Sequence, residues 1–162
     1  MLNIGDQAPD FALPNQHGQE VTLAGLLANG PAVVYFYPAD FTPGCTQQAC
    51  SFRDRHGALQ AAGLSLVGIS PQPVASKQRF ASQHELPFDV LADEARTVIA
   101  AYGASGPFGL GVRRVSYLVE PGGIVVDREV ADLRIGRHGE VRRSRARPVS
   151  PDRVLTPVGA WP

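Results

Sequence analysis

The chain has 162 residues, of which 44% are hydrophobic and 19% are charged, and its formal net charge is zero. This length predicts one domain with a proper hydrophobic core, and the charge balance argues against a general attraction to nucleic acid or anionic membranes. No apolar stretch approaches the length that crosses a bilayer, and residues 1–11 lack the basic start and apolar centre of a secretory signal, so we expect a cytoplasmic protein.

Strand and helix signals alternate along most of the chain. The apolar run at residues 32–37 is typical of a strand covered on both faces. The turn residues at 120–123 predict a hairpin. In chain order we predict a hairpin tip at 15–18, a short strand entering a helical turn at 21–27, a strand at 32–37, a helix at 45–62, a strand at 64–70, a helix at 73–84, a strand at 88–91, a helix at 94–102, a loop at 103–111 and paired strands at 115–119 and 124–130. This order predicts an α/β fold with a central mixed β-sheet flanked by helices.

The helix predicted at residues 73–84 has a weak amphipathic pattern. Val74, Gln78 and Ala81 recur at helical spacing, which would place them on one face. Lys77 and Arg79 are therefore expected to point outward.

The most informative segment is residues 38–50, which read PADFTPGCTQQAC and include both cysteines of the chain. Pro43 and Gly44 end the preceding strand and place Cys45 where a helix begins. Unpaired backbone N–H groups and the positive end of the helix dipole favour a thiolate at such a position. A thiolate with a second thiol nearby, here Cys50, is typical of redox chemistry, although Cys45 could also be an inert buried thiol.

Two cysteines and four scattered histidines do not supply an evident zinc site, and two cysteines are too few for a disulfide scaffold. If the helix begins at Cys45, the Cα atom of Cys50 lies about 8.5 Å away and about 140° around the helix axis. A disulfide needs a Cα separation below about 7 Å. Either the pair never forms a disulfide, or the helix unwinds locally during turnover.

The segment from Phe36 to Cys50 reads FYPADFTPGCTQQAC, and it resembles the active-site motif of peroxiredoxins. The second cysteine, five positions after the first, is similar to the bacterioferritin-comigratory-protein or peroxiredoxin Q subfamily. The likeness covers roughly residues 3–135, and it includes matching segments at residues 5–11, 67–70, 91–93 and 112–118. It implies a thioredoxin-like peroxiredoxin domain over residues 1–138.

The resemblance also implies roles for individual residues. Cys45 would be the peroxidatic nucleophile, Cys50 the resolving cysteine, Arg114 the active-site arginine and Pro38 a shield over the pocket. Thr42 would be the hydroxyl partner, able to accept a hydrogen bond from the peroxide and to donate one to the sulfur. The thiolate would become a sulfenic acid, the second thiol would condense with it, and thioredoxin or a similar dithiol would reopen the disulfide. No metal or organic cofactor is required.

Each role has a structural alternative. Cys50 could be a core cysteine, and Thr42 and Pro38 could be ordinary turn residues. Arg113 precedes Arg114 on the same strand, and the alternation of side chains allows only one of the two to point inward. The register of the family favours Arg114.

The chain also departs from the family pattern. Ala39 stands where relatives often have lysine, and Pro71 follows Gly-Ile-Ser where relatives often have aspartate. Residues 139–162 are rich in Arg and Pro where the family usually has an amphipathic helix. We expect an atypical tail that covers the sheet irregularly, or that leaves an apolar face exposed or covered by a partner subunit. A basic run without interleaved aromatic residues does not predict nucleic-acid binding.

The leading interpretation is a thioredoxin-dependent two-cysteine peroxidase with an antioxidant role, acting on hydrogen peroxide and organic hydroperoxides as a monomer or weak homodimer. One alternative is a thioredoxin-like disulfide exchanger, which usually carries Cys-x-x-Cys, a motif that this chain lacks. Another is a peroxide sensor, which would show stoichiometric oxidation of Cys45 and poor turnover with thioredoxin.

Overall fold

The structure is a computed structural model, and it describes residues 1–130 of the chain. In chain order its elements are β1 (Ala12–Pro14), β2 (Glu20–Thr22), α1 (Leu23–Leu27), β3 (Ala32–Phe36), α2 (Pro43–Ala61), β4 (Ser65–Ser70), α3 (Val74–Gln83), β5 (Asp89–Ala92), α4 (Thr97–Ala101), a short 3-10 helix (Pro107–Gly109), β6 (Val115–Val119) and β7 (Val125–Val130).

The central sheet has the strand order β5–β4–β3–β6–β7. The three strands β3, β4 and β5 run parallel, whereas β6 and β7 pair in antiparallel fashion. The predicted α/β fold with a central mixed sheet is therefore confirmed. Every residue of β3 is buried, as its continuous apolar run requires. The carboxyl end of β3 leads into the segment that contains both cysteines.

Two hydrophobic clusters cover the two faces of this sheet. Because side chains alternate along a strand, Val34 and Phe36 belong to one cluster and Val33 and Tyr35 belong to the other. The second cluster also includes Cys45, so the first turn of α2 packs against this face. The hydrophobic core thus fixes the position of the thiol relative to the end of β3.

The hairpin formed by β1 and β2 covers the outer edge of β5. The side chain of Gln16 donates from Nε2 to the carbonyl of Phe88 at 3.3 Å and accepts at Oε1 from the N–H of Val90 at 3.0 Å. Asn15 Nδ2 donates to Asp89 Oδ1 at 3.1 Å. Gln16 therefore satisfies backbone groups of an edge strand that would otherwise lack partners.

Two helices begin two or three residues away from the predicted positions. α2 begins at Pro43 rather than at Cys45, because proline fits the first helical position, where no backbone N–H bond is lost. α4 begins only at Thr97, because Arg96 has a left-handed backbone conformation with φ 58°, so the prediction of a helix from residue 94 was wrong.

The prediction that Lys77 points outward is also wrong. Lys77 lies on α3 and its residue is completely buried. The carboxylate of Asp40 pairs with its ammonium group, which is why a charged side chain is stable there. Gln78, expected to face inward, is exposed instead.

Part of the sequence interpretation concerns residues beyond those described. The domain end predicted at residue 138 and the Arg- and Pro-rich tail at 139–162 both lie outside the described residues. Within residues 1–130, no helix combines the length and the apolar character needed to cross a membrane.

Candidate active site

Cys45 lies in the first turn of α2, three positions after the N-cap residue Thr42. Its side chain is buried and its thiol is free. The first turn contains no acidic residue that would repel a negative charge on the sulfur. The positive end of the helix dipole therefore lies beside this sulfur and stabilises negative charge that develops on it.

Arg114 contacts this sulfur directly. It immediately precedes β6, the antiparallel neighbour of β3, and its Nη2 atom lies 3.4 Å from Cys45 Sγ. A Cβ atom at Gly44 would lie only 2.5 Å from the same Nη2 atom. The missing side chain at Gly44 therefore makes room for the guanidinium group beside the thiol. The neighbouring Arg113 makes a different contact, with its backbone N–H donating to the carbonyl of Ala104 at 2.7 Å.

Thr42 and Pro38 lie in the loop between β3 and α2. The hydroxyl of Thr42 donates to the carbonyl of Ala39 at 3.1 Å. A hydroxyl has only one proton, so in this arrangement Thr42 does not donate to the sulfur, while its lone pairs can accept a hydrogen bond from a substrate. Pro38 is half-buried, and its carbonyl accepts from Gln72 Nε2 at 3.3 Å.

Cys50 is on the same helix, which runs without interruption from Pro43 to Ala61. It is partly buried and free. With the helix intact, the Cα atoms of Cys45 and Cys50 are about 8.5 Å apart in regular α-helix geometry. A disulfide between Cys45 and Cys50 therefore requires α2 to unwind locally.

Aromatic side chains form the wall behind the thiol. The ring of Tyr35 lies 4.7 Å from that of Phe52 and 5.4 Å from that of Tyr37, measured between ring centroids. Burial raises the pKa of both tyrosines well above its ordinary value, and for Tyr35 the charge of Cys45 raises the pKa further. Both hydroxyls therefore stay protonated, and neither tyrosine acts as an acid or a base.

A buried ion pair lies directly behind the loop, and sequence reasoning missed it. Lys77 Nζ is 3.0 Å from Asp40 Oδ1, and the two side chains are 0% and 1% exposed. Asp40 was visible within the motif, but its partner comes from α3, 37 positions later. No local signal in the sequence joins the two residues.

A buried cysteine at the start of a helix, packed on a mixed sheet and beside an arginine, is the arrangement of thioredoxin-fold proteins that react through a thiol. Residues 4–128 match the family model described as the AhpC/TSA family. The match spans well over half of the chain, so the chain belongs to this family.

Individual relatives agree with this assignment. A chloroplastic peroxiredoxin Q from Arabidopsis thaliana is 43% identical over 125 residues, which cover 76% of this chain and 57% of the relative. A Mycobacterium tuberculosis relative described as a peroxiredoxin is 40% identical over 150 residues, covering 89% of this chain and 93% of that protein. The chain thus spans little more than half the length of the plant relatives, whereas it matches the mycobacterial protein over nearly its whole length.

Solved structures confirm the fold. The crystal structure of peroxidoxin BcpB from Mycobacterium tuberculosis aligns with a TM-score of 0.76 and 37% identity, covering 80% of this chain and 86% of that one. A variant of Xanthomonas campestris peroxiredoxin Q aligns with a TM-score of 0.70 and 28% identity, covering 74% of this chain and 80% of that one. The thioredoxin-like fold expected from the resemblance is confirmed.

Proposed function

We propose that this chain is a thiol peroxidase of the peroxiredoxin Q type, which reduces hydrogen peroxide and organic hydroperoxides to water and alcohols. The observation that carries the proposal is the contact of 3.4 Å between Arg114 Nη2 and Cys45 Sγ at the start of α2. It joins a helix N-terminus and a guanidinium group at one buried thiol, in a member of the AhpC/TSA family.

In the first step the Cys45 thiolate attacks one oxygen of the peroxide. A sulfur–oxygen bond forms and the oxygen–oxygen bond breaks, so sulfur is oxidised to sulfenic acid and the peroxide is reduced. The departing oxygen takes up a proton from solvent and leaves as water or alcohol. Arg114 stabilises negative charge on the sulfur and on the departing oxygen, Thr42 accepts a hydrogen bond from the peroxide, and Pro38 shields the pocket.

In the second step Cys50 condenses with the sulfenic acid, which forms a disulfide and releases water. This step needs α2 to unwind, and its first turn resists unwinding only weakly. Gly44 and Thr46 have low helix propensity, and Thr42 makes no side-chain capping bond. Because the two thiols belong to one short segment, we propose that the disulfide forms within one chain.

A dithiol protein such as thioredoxin then reduces the disulfide by exchange, which returns both thiols. The catalytic domain proposed here extends to residue 138, with residues 139–162 as a separate tail, and the protein acts as a monomer or weak homodimer. Because the cycle needs a reduced dithiol partner, we propose a cytoplasmic location, where thiols are kept reduced.

The test is the consumption of hydrogen peroxide with excess dithiothreitol, comparing the wild type with Cys45→Ser. Many turnovers by the wild type and none by the variant support the peroxidase. Absence of turnover by the wild type overturns it. Two further assays separate the alternatives. A disulfide exchanger would reduce insulin rapidly. A sensor would stop after one oxidation of Cys45 when thioredoxin replaces dithiothreitol as the reductant.

A further inference from the structure

Lys77 reaches from α3 into the space beneath the loop that precedes α2, and it is completely buried. Its Nζ atom donates to Asp40 Oδ1 at 3.0 Å, to the hydroxyl of Tyr37 at 3.1 Å and to the hydroxyl of Ser70. All three ammonium protons therefore have an acceptor. The same atom lies 4.9 Å from the centre of the Tyr37 ring, where the π-electrons also favour a cation.

Both oxygens of the Asp40 carboxylate also accept hydrogen bonds. Its Oδ1 atom accepts from the Tyr37 hydroxyl at 2.7 Å, and its Oδ2 atom accepts from the Ser76 hydroxyl at 2.7 Å, in addition to the bonds from Lys77. A buried polar network in which every member is satisfied makes its surroundings rigid. Here the network joins the ends of β3 and β4 and the start of α3 to a single loop residue.

The backbone of this loop is bound to the same cluster. The side chain of Gln72 accepts from the N–H of Asp40 at 3.2 Å and donates to the carbonyl of Pro38 at 3.3 Å. The next residue, Phe41, has φ 64°, a left-handed conformation that is unusual for an aromatic residue. Such a conformation persists only when the neighbouring residues are fixed. Here Asp40 is bound on one side of Phe41, and Thr42, the N-cap residue of α2, lies on the other.

We propose that Lys77 is a positioning residue for peroxide reduction, and this inference rests on the function proposed above. By binding Asp40, the ammonium group fixes residues 38–42 in the conformation that places the Thr42 hydroxyl and Pro38 at the start of α2, beside Cys45. Lys77 does not touch the substrate. It acts through the loop, and the loop sets the shape of the peroxide pocket.

The charge of Lys77 makes this role dependent on pH. The polar and titratable groups around its ammonium come from every neighbouring element: Tyr37 after β3, Asp40 in the loop, Cys45 on α2, Ser70 on β4 and Ser76 on α3. Burial lowers the pKa of Lys77 from 10.5 to about 8, although the charges of Asp40 and then Cys45 oppose this shift. Above about pH 8 the ammonium loses its charge, and Asp40 loses its counter-ion.

Stability and reaction rate should then respond to pH in opposite directions. In the unfolded chain Lys77 keeps its proton up to about pH 10.5, whereas in the folded chain it releases the proton near pH 8. The contribution of Lys77 to stability therefore increases as pH rises between these values. Over the same pH range the ion pair between Lys77 and Asp40 is lost and the loop at residues 38–42 is less firmly fixed, so the rate of Cys45 oxidation falls. A purely structural ion pair would not lower the rate while stability increases.

The experiment compares Lys77→Gln, Asp40→Asn and the double variant with the wild type. Arg79→Gln is the matched control, because it removes the same charge from the exposed side of the same helix. Single-turnover oxidation of Cys45 by hydrogen peroxide is followed by rapid quenching and mass spectrometry across a range of pH, and folding is checked by circular dichroism. The wild-type rate should fall as pH rises through about 8.

Each single variant leaves one buried charge without its partner, and we expect about tenfold slower oxidation at neutral pH. The double variant has two amides that can bond to each other, and it should recover to within about threefold of the wild type, without the fall at alkaline pH. Arg79→Gln should behave as the wild type. If a single variant does not fold, the double variant and the wild-type pH profile still decide the matter.

Several results would overturn the inference. Unchanged oxidation in folded Lys77→Gln, losses that simply add in the double variant, or a wild-type rate without an alkaline fall would each do so. Failure of the proposed function is distinguishable from all of these, because Cys45 would then not be oxidised by peroxide even in the wild type.

Discussion

A methyl group added at Gly44 should slow the reaction without harming the fold. A Cβ atom at this position would lie 2.5 Å from Nη2 and 2.7 Å from Nη1 of Arg114, closer than atoms in van der Waals contact approach. The guanidinium is the end of a long flexible side chain, so it can retreat by about 1 Å at little cost in stability. In Gly44→Ala, the contact with Cys45 Sγ would lengthen from 3.4 Å.

The size of the effect follows from Coulomb's law. With an effective dielectric constant of about 20, a retreat of about 1 Å weakens the attraction between the guanidinium and the thiolate by about 1 kcal/mol. If this attraction is expressed in the transition state, the rate of Cys45 oxidation falls about sixfold. The helix itself gains, because alanine is favoured over glycine inside a helix by up to about 1 kcal/mol.

The assay is the single-turnover rate of Cys45 oxidation by hydrogen peroxide, measured beside the free energy of unfolding in urea. The control is Gly57→Ala on the same helix, where the added methyl group has no atom within 4 Å apart from its chain neighbours and the adjacent backbone of the helix. The control should gain stability and keep the wild-type rate. If Gly44→Ala reacts as fast as the wild type, the contact with Arg114 does not assist the reaction and the mechanism is wrong at this step.

Three further predictions follow from other parts of the molecule. Gln16→Ala removes both side-chain hydrogen bonds to the edge of β5, and it should lower the free energy of unfolding in urea by about 1–3 kcal/mol without changing the rate of Cys45 oxidation. An unchanged unfolding midpoint would contradict the role given to the hairpin. Thr42→Val removes the acceptor for the peroxide and should slow oxidation at least about tenfold, whereas Thr42→Ser should largely keep the rate; equal rates in both would exclude the hydroxyl. Alkaline pH should destabilise the protein, because burial raises the pKa of four tyrosines above the ordinary value of 10.0. The four are Tyr35, Tyr37, Tyr102 and Tyr117, and the stability that they contribute is fully present below pH 10.0 and declines as pH rises above it. Urea unfolding at several pH values tests this, and a free energy of unfolding that does not fall above pH 10.0 would refute it.

Local sequence patterns were sufficient to predict most of the fold. The apolar run of β3 and the turn residues before β7 marked a central strand and a closing hairpin, and both are present within a residue of the expected ends. The Pro-Gly pair before Cys45 indicated a helix start, because these residues end strands and fit the first helical positions. These features depend only on residues that are close together in the sequence, so a single sequence is enough to predict them.

Contacts between distant segments could not be predicted in the same way. The pattern of α3 placed Lys77 outside because an isolated lysine is rarely buried. Its burial depends on Asp40, and only the pairing of β3 with β4 brings their ends together. The contact of Arg114, rather than Arg113, with Cys45 also depends on a distant segment. Side-chain alternation places the two arginines on opposite faces, but it does not show which face packs against α2.

The most direct measurement of the central claim is the identity of the sulfur that a single equivalent of hydrogen peroxide oxidises. Mass spectrometry after trapping with dimedone should find a sulfenic acid at Cys45 in Cys50→Ser, and a disulfide between Cys45 and Cys50 in the wild type. Oxidation at Cys50 in the Cys45→Ser variant at the wild-type rate, or no sulfenic acid at Cys45, would contradict the account.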